Sequence, residues 1–190
     1  MNLEAIAASL ESFVSKHQVT FQNLGTRQTQ ILELAATVGV IRHYSASGFA
    51  VSIQNPSANN VFVLKSSTRG HPADYSRVQC VRGGHEIEIH TNLLVRGAHD
   101  EGIYCVDVAV VRVDVVPHVK TKDKWRCVEN ADLVSFGEAK KLVIYPMLLA
   151  QFLGIVHEIR PEFLLPQPRP DFGPGGYLPP VLMALGVVRE

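Results

Sequence analysis

Three stretches decide the fold: residues 102–114 (GIYCVDVAVVRVD), 132–141 (DLVSFGEAKK) and 145–159 (YPMLLAQFLGIVHEI). The first two are rich in the β-branched residues that favour strands, and the third repeats large apolar residues at helical spacing. Side chains alternate between the two faces of a strand, so Glu138 and Lys140 project on the same side. We therefore expect two strands followed by a helix, with charged side chains set among apolar ones.

Asp107 lies between Val106 and Val108 in the first of these stretches. An unpaired buried carboxylate costs on the order of several kcal/mol or shifts its pKa, so such an acid must hydrogen-bond at a sheet edge or bind something. Asp107 and Glu138 supply the oxygen ligands that Mg²⁺ prefers. Lys140 can position or deprotonate a water and stabilise charge on an attacked phosphate. The alternative is a structural ion pair on a sheet edge.

The length and composition predict one globular domain. A chain of 190 residues can bury a full hydrophobic core, and its apolar residues, 46% of the total, are spread along it. No stretch has the length of uninterrupted apolar sequence that crosses a bilayer, and residues 1–16 lack the basic start and continuous apolar segment of a signal peptide. We expect a cytoplasmic protein without membrane contacts.

The charge balance limits the partners. The chain has 18 Lys and Arg residues and 18 Asp and Glu residues, so its formal net charge is zero. This argues against a strongly electrostatic, non-specific nucleic-acid binder, but it leaves room for a local basic face. Cys80, Cys105 and Cys127 are odd in number and lack C-x-x-C spacing, so we interpret them as core thiols.

Two one-sided helices are predicted before the first strands. Apolar residues recur every three to four positions within 2–16, and again within 26–39. Thr26 is a plausible N-cap of the second helix and Gly39 a plausible stop. Glu33 lies beside the apolar face of that helix.

Short strands separated by turn residues are expected after the second helix. Residues 49–53 and 61–65 are predicted to form an antiparallel pair around the turn QNPSANN. Strands are also expected at 77–81 and 85–97, because Gly83-Gly84 between them permits a tight turn.

Three histidines and a basic loop are further candidate sites. His85, His90 and His99 lie near one another in sequence, but no zinc-binding spacing accompanies them, so surface or hydrogen-bonded core histidines are expected. Residues 114–131 carry four basic residues around Trp125, which indicates either a nucleic-acid contact or an exposed loop.

The helix at 146–159 is apolar nearly all round, with Gln151, His157 and Glu158 as its exceptions, and is predicted to be buried against the sheet. Beyond residue 160 the chain is rich in proline, which excludes a helix interior or a central strand over most of its length. We expect an arm whose apolar segment at 181–188 covers either its own sheet or a second copy.

The order of an aspartate, then Glu-x-Lys on the next strand, then a helix carrying Gln151 resembles the PD-(D/E)xK nuclease superfamily. Residues 85–111 are similar to a pattern of Mrr-like bacterial families, in which an E-[IL]-H-x-x-[VL]-x-V-x-G strand precedes a D-[VI]-x-V strand. Residues 132–159 resemble their "ExK, loop, F-x-G-[LI]-V-x-E" segment. Cys105 and Ala139 depart from the usual residues at their positions, but neither departure removes a metal ligand.

The resemblance implies an α/β fold of the restriction-endonuclease-like type, with a mixed central sheet flanked by helices. On this basis residues 1–24 form an N-terminal helix and linker. Residues 25–160 form the nuclease-like core, and residues 161–190 form the arm rich in Pro and Gly.

The resemblance also implies the site residues. Asp107 and Glu138 correspond to the metal ligands and Lys140 to the catalytic lysine. Glu33 resembles the acid of the first core helix that completes the metal site, and Gln151 resembles the helix glutamine that touches substrate or water. The implied cofactor is Mg²⁺ or Mn²⁺.

Two functions are compatible with these expectations. The first is a metal-dependent endonuclease that cuts DNA in bacterial restriction or antiphage defence, and that works as a homodimer or with a targeting or sensor protein. The zero net charge agrees with an enzyme whose target is recognised with the help of another protein. The second is a catalytically silent nuclease fold that serves as a scaffold or assembly subunit of a defence complex.

Overall fold

The structure is a computed structural model that describes residues 3–22, 28–57, 59–99, 101–120, 125–142, 144–164 and 178–185. Its helices are α1 (Leu3–His17), α2 (Gln28–Ala46) and α3 (Pro146–Ile159). Its strands are β1 (Thr20–Gln22), β2 (Ala50–Gln54), β3 (Val61–Val63), β4 (Arg77–Arg82), β5 (His85–Arg96), β6 (Ile103–Arg112), β7 (Leu133–Lys140) and β8 (Val181–Ala184). Outside the described residues lie the proposed cap Thr26, the basic residues Lys122 and Lys124, and residues 165–177 and 186–190 of the arm.

Six strands form one mixed sheet in the order β2-β4-β5-β6-β7-β8. All neighbours are antiparallel except β7 and β8, which run parallel. The predicted turn between β4 and β5 is confirmed: Gly83 and Gly84 have φ of 53° and 85°, values that glycine adopts without steric cost. The two longest strands, β5 and β6, pair at the centre of the sheet.

Helices cover both faces of this sheet, which confirms the coarse prediction of a mixed α/β fold. On one face, α2 buries an apolar stripe against β5 and β6, made by Leu34, Val38, Ile41, Tyr44, Ile87, Ile89, Val108 and Val110. On the other face, α3 buries Phe152, Val156 and Ile159 against Leu93, Val95, Val111 and Phe136. Each fully buried side chain of this size contributes about 1.5–3 kcal/mol of transfer free energy. None of the described helices is both long and apolar enough to span a bilayer.

The predicted stop of the second helix at Gly39 is wrong. Helix α2 continues to Ala46, because Val40, Ile41 and Tyr44 extend its buried stripe. A glycine inside a helix costs about 1 kcal/mol relative to alanine, which is less than the burial of one of these side chains contributes.

The predicted hairpin between 49–53 and 61–65 is also wrong. Strand β2 pairs antiparallel with β4, whereas β3 pairs in parallel with β1. Phe62 of β3 is 1% exposed and packs edge-to-face on Phe21 of β1, with ring centroids 5.7 Å apart. Burial of Phe62 among these rings selects a partner that is distant in sequence over the neighbour across the turn.

Helix α3 packs against the sheet as predicted, but it is buried on one side only although its sequence is apolar nearly all round. Leu148, Phe152 and Val156 are buried, but Met147, Leu149 and Leu153 are 60%, 48% and 44% exposed. The sheet lies against only one face of the helix, so the opposite face stays open among the described residues.

Part of the C-terminal arm covers its own sheet, which was one of the two expected alternatives. Strand β8 extends the sheet beyond β7, pairing Glu138 with Leu182 and Lys140 with Ala184. Leu182 packs in the α3 cluster, and Met183 packs in the α2 cluster. Strand β7 is therefore flanked on both sides.

Candidate active site

Asp107, Glu138 and Lys140 converge, as their positions in the sequence predict. Val108 of β6 pairs with Gly137 of β7, so Asp107 and Glu138 lie opposite each other on neighbouring strands. The Lys140 Nζ atom is 2.6 Å from Glu138 Oε2 and 3.4 Å from Asp107 Oδ2. The backbone N–H of Ala139 also donates to Asp107 Oδ2 at 2.8 Å. These contacts fix one lysine between two carboxylates.

The Glu138 carboxylate is poorly satisfied for a buried acid. The residue is 3% exposed, and its Oε1 atom has no hydrogen-bond partner in the part of the chain that the structure describes. Burial and the negative charge of Asp107 raise the pKa of Glu138 to about 7. Burial acts to lower the pKa of Lys140, but its contacts with Glu138 and Asp107 outweigh this and raise the pKa. The lysine therefore stays protonated, and it is the one cation beside Glu138 among the described residues.

Glu33 reaches the same site from α2, where the resemblance implied it. Its Oε2 atom accepts a hydrogen bond from Asn92 Nδ2 at 3.0 Å. Burial raises the pKa of Glu33, and the Asn92 hydrogen bond opposes this rise. The charges of Asp107 and Lys140 also act on this pKa, in opposite directions, which places all three side chains in one electrostatic environment.

Gln151 is exposed on α3, at the rim of the site. With Glu138 and Lys140 it lines a shallow cavity of about 50 Å³, floored by Phe152 and Leu182. The structure thus brings Gln151 close to the two charged residues of β7. Its contact with substrate or water stays a prediction.

The residues present fit a divalent cation. Among the described residues Glu138 Oε1 is an acceptor without a partner, and the Lys140 ammonium occupies a position between two carboxylates that favours positive charge. A divalent ion bound there would lower the cost of keeping Glu138 ionised. Among the described residues, no three His, Cys, Asp or Glu side chains are close enough to hold an ion as they stand.

The remaining sequence candidates lie elsewhere. His90 is buried and lies 3.0 Å from Glu88, and His99 stacks on His157 with ring centroids 4.9 Å apart. These contacts agree with the interpretation of the histidines as hydrogen-bonded or surface residues. Trp125 of the basic loop packs against the α3 cluster instead of standing free in solvent.

Two residues near the site were missed by the sequence analysis, namely Lys65 and Asn92. Lys65 is 2% exposed and Asn92 is 7% exposed. Both looked unremarkable in the sequence, one as the last residue of a predicted strand and the other as a polar residue within a strand. Asparagine is depleted in strands and tolerates left-handed backbone, so an Asn inside a predicted strand was the one available signal.

No family model, no curated protein and no solved structure matches this chain. The likeness to the PD-(D/E)xK nucleases therefore rests on the residues and spacings themselves.

Proposed function

We propose that the protein is a metal-dependent endonuclease with a restriction-endonuclease-like fold, which hydrolyses phosphodiester bonds in DNA. The observation that supports this most directly is the Lys140 ammonium between Asp107 and Glu138 on adjacent strands. We further propose that it acts in the cytoplasm, in bacterial restriction or antiphage defence.

In this proposal Asp107, Glu138 and Glu33 hold Mg²⁺ or Mn²⁺. The bound ion supplies Lewis-acid polarisation of the phosphate and a water of lowered pKa. Lys140 would orient the attacking water and stabilise the charge that develops on the phosphate. Gln151, at the rim of the cavity, contacts the substrate backbone.

The test is cleavage of supercoiled plasmid with Mg²⁺ or Mn²⁺, with EDTA as the blank. We expect Lys140→Ala to lower the cleavage rate at least about 100-fold, because it removes a charge that acts in the transition state. Lys141→Ala is the matched control, since Lys141 is the next residue and is exposed. Equal rates for Lys140→Ala and Lys141→Ala would contradict the proposal.

We also propose that the protein is a homodimer that pairs through the outer face of α3. This face presents Met147, Leu149 and Leu153 beside the small residues Ala150 and Gly154, and a side chain added at Gly154 would meet none of the described residues within 4 Å. The same apolar face on two copies can be removed from water by pairing one with the other. The interface would include the exposed Ile144 and Tyr145, which precede the helix. Over two copies it would bury on the order of 1,000 Å², the lower limit for a specific interface.

Light scattering after gel filtration tests this assembly. We expect the wild type to have the mass of a dimer and the double variant Leu149→Glu/Leu153→Glu to have the mass of a monomer with an unchanged circular dichroism spectrum. A monomeric wild type would exclude the homodimer. The same exposed face favours the second candidate function, a catalytically silent assembly subunit, if the wild type shows no metal-dependent cleavage.

A further inference from the structure

Asn92 has an unusual backbone for a residue in the interior of a sheet. It lies within β5, is 7% exposed, and has a φ of 47°. Thr91 pairs with Val108 and Leu93 with Val106, so Asn92 lies opposite Asp107 of the candidate site. Left-handed backbone is disfavoured for residues other than glycine, and such strain persists only where its surroundings enforce it.

The left-handed residue reverses the alternation of β5. Before it, Ile87 and Ile89 pack in the cluster around α2. After it, Leu93 and Val95 pack in the cluster around α3, although strict alternation would keep these odd-numbered residues on the α2 face. The change of phase lets the Asn92 side chain point to α2, where its Nδ2 donates to Glu33.

The partner strand changes phase at the same level. In β6, Val108 and Val110 pack in the α2 cluster, whereas Val106 packs in the α3 cluster. Asp107 lies at the point of change. Both strands thus depart from regular alternation where the carboxylates of the site meet.

Lys65 holds Asn92 in this conformation from the loop after β3. Its Nζ atom donates to the Asn92 carbonyl oxygen at 2.6 Å, and the Asn92 Nδ2 atom donates back to the Lys65 carbonyl oxygen at 2.8 Å. Lys65 Nζ also donates to the Ser67 carbonyl oxygen, and its backbone N–H donates to Thr91 Oγ1. A lysine that is only 2% exposed is costly to bury. Its reciprocal bonds with Asn92 therefore indicate that Lys65 holds the backbone of Asn92 in place.

We propose that Asn92, held by Lys65, is a positioning residue that aims the Glu33 carboxylate at Asp107 and Glu138, so that three acids instead of two receive the ion. The inference rests on the proposed function, because it concerns how the same site takes up metal. The Asn92 amide fixes one Glu33 oxygen and leaves the other to bind.

Calorimetric titration of the full chain with Mn²⁺ tests the inference without requiring cleavage. We expect Asn92→Gly to weaken Mn²⁺ binding about 10- to 100-fold, the usual effect of losing a residue that orients a ligand. Glycine keeps the left-handed backbone without strain, so the variant removes the amide alone. The double variant Glu33→Gln/Asn92→Gly should bind no more weakly than Glu33→Gln, because Asn92 acts through Glu33.

Two further variants separate positioning from general stability. Asp114→Gly is the matched control, since Asp114 is also left-handed, with a φ of 65°, but lies in the turn after β6. Its Mn²⁺ affinity should equal that of the wild type. Lys65→Met should weaken Mn²⁺ binding in the same direction as Asn92→Gly, and it tests the inference if Asn92→Gly does not fold by circular dichroism.

The outcomes distinguish this inference from the proposed function. If the wild type binds no Mn²⁺, both the inference about Asn92 and the proposed function are overturned. A wild type that binds Mn²⁺, with unchanged affinity in Asn92→Gly and Lys65→Met, leaves the proposed function intact and overturns the inference. Losses that simply add in the double variant overturn it as well.

Discussion

Glu88 on β5 and Glu138 on β7 are both almost fully buried, 1% and 3% exposed, yet their surroundings differ. Glu88 Oε1 lies 3.1 Å from Arg77 Nε and 2.8 Å from His118 Nε2, and its Oε2 lies 3.0 Å from His90 Nε2. Glu138 has one ammonium on Oε2, nothing on Oε1 among the described residues, and a second acid across the strand pair.

The pKa of each acid follows from these contacts. Burial acts to raise the pKa of Glu88, but its contacts with His90 and His118 outweigh burial and lower it. For Glu138, burial and the charge of Asp107 act together and raise the pKa to about 7. Burial alone therefore does not mark a functional acid. An incompletely satisfied acid beside a like charge is the better indicator.

The largest change in stability is expected for Glu88, the acid with three partners. Glu88→Gln should lower the free energy of unfolding by about 3 kcal/mol at pH 7, because it removes the counter-charge of the largely buried Arg77 guanidinium. The lowered pKa of Glu88 means that this stabilisation is present above the ordinary glutamate pKa and is lost as pH falls through the lowered value. Urea unfolding of the metal-free protein measures both effects.

Glu86→Gln is the matched control for this comparison, because Glu86 lies two residues away on the same strand and is exposed. Its effect should stay within about 0.5 kcal/mol. A Glu88→Gln protein as stable as the control would remove the contrast between the two acids.

The opposite sign is expected for Glu138. Glu138→Gln should raise the free energy of unfolding of the metal-free protein by about 1–2 kcal/mol at pH 8, because it removes a buried charge that the fold satisfies poorly. The raised pKa makes the folded wild type hold a proton that the unfolded chain releases, so its stability falls as pH rises from about 4.5 to about 7.

The gain from Glu138→Gln should therefore disappear at pH 5, where the wild-type side chain is protonated. Urea unfolding in EDTA at pH 5 and pH 8 measures the difference. A loss of stability at pH 8 would show that Glu138 is a structural partner of Lys140.

The smallest effect is expected from His118, which supplies one of three partners to Glu88 from a partly exposed position. His118→Ala should cost about 1 kcal/mol, since Arg77 and His90 still bond the carboxylate. The proposed plasmid cleavage should be unchanged, because the contact described for His118 is with Glu88 and not with a candidate site residue. A loss as large as that of Glu88→Gln would mean that His118 holds the carboxylate by itself.

Local signals explain which parts of the fold the sequence could predict. Gly83-Gly84 and the apolar alternation around them indicated β4 and β5, and Pro146 marked the start of α3. The pairing of β3 with β1 had no such signal, because it depends on Phe62 finding other rings far away in the chain. The continuation of α2 past Gly39 likewise depends on the sheet that buries Tyr44.

The same limit applies to the candidate site. The convergence of Asp107, Glu138 and Lys140 followed from strand alternation and neighbouring strands. The role suggested for Asn92 could not follow, because regular alternation is the assumption that its left-handed backbone breaks. The burial of Lys65 was equally hidden, since a lysine at the end of a strand is usually solvated.

The parallel pairing of β7 with β8 has a kinetic consequence. Because α3 lies between these strands in the chain, their contacts are non-local and carry a loop-closure cost before they stabilise anything. Until β8 docks, the strand that carries Glu138 and Lys140 is an open sheet edge. We therefore expect the edge of β7 beside Glu138 and Lys140 to be covered at a late step of folding.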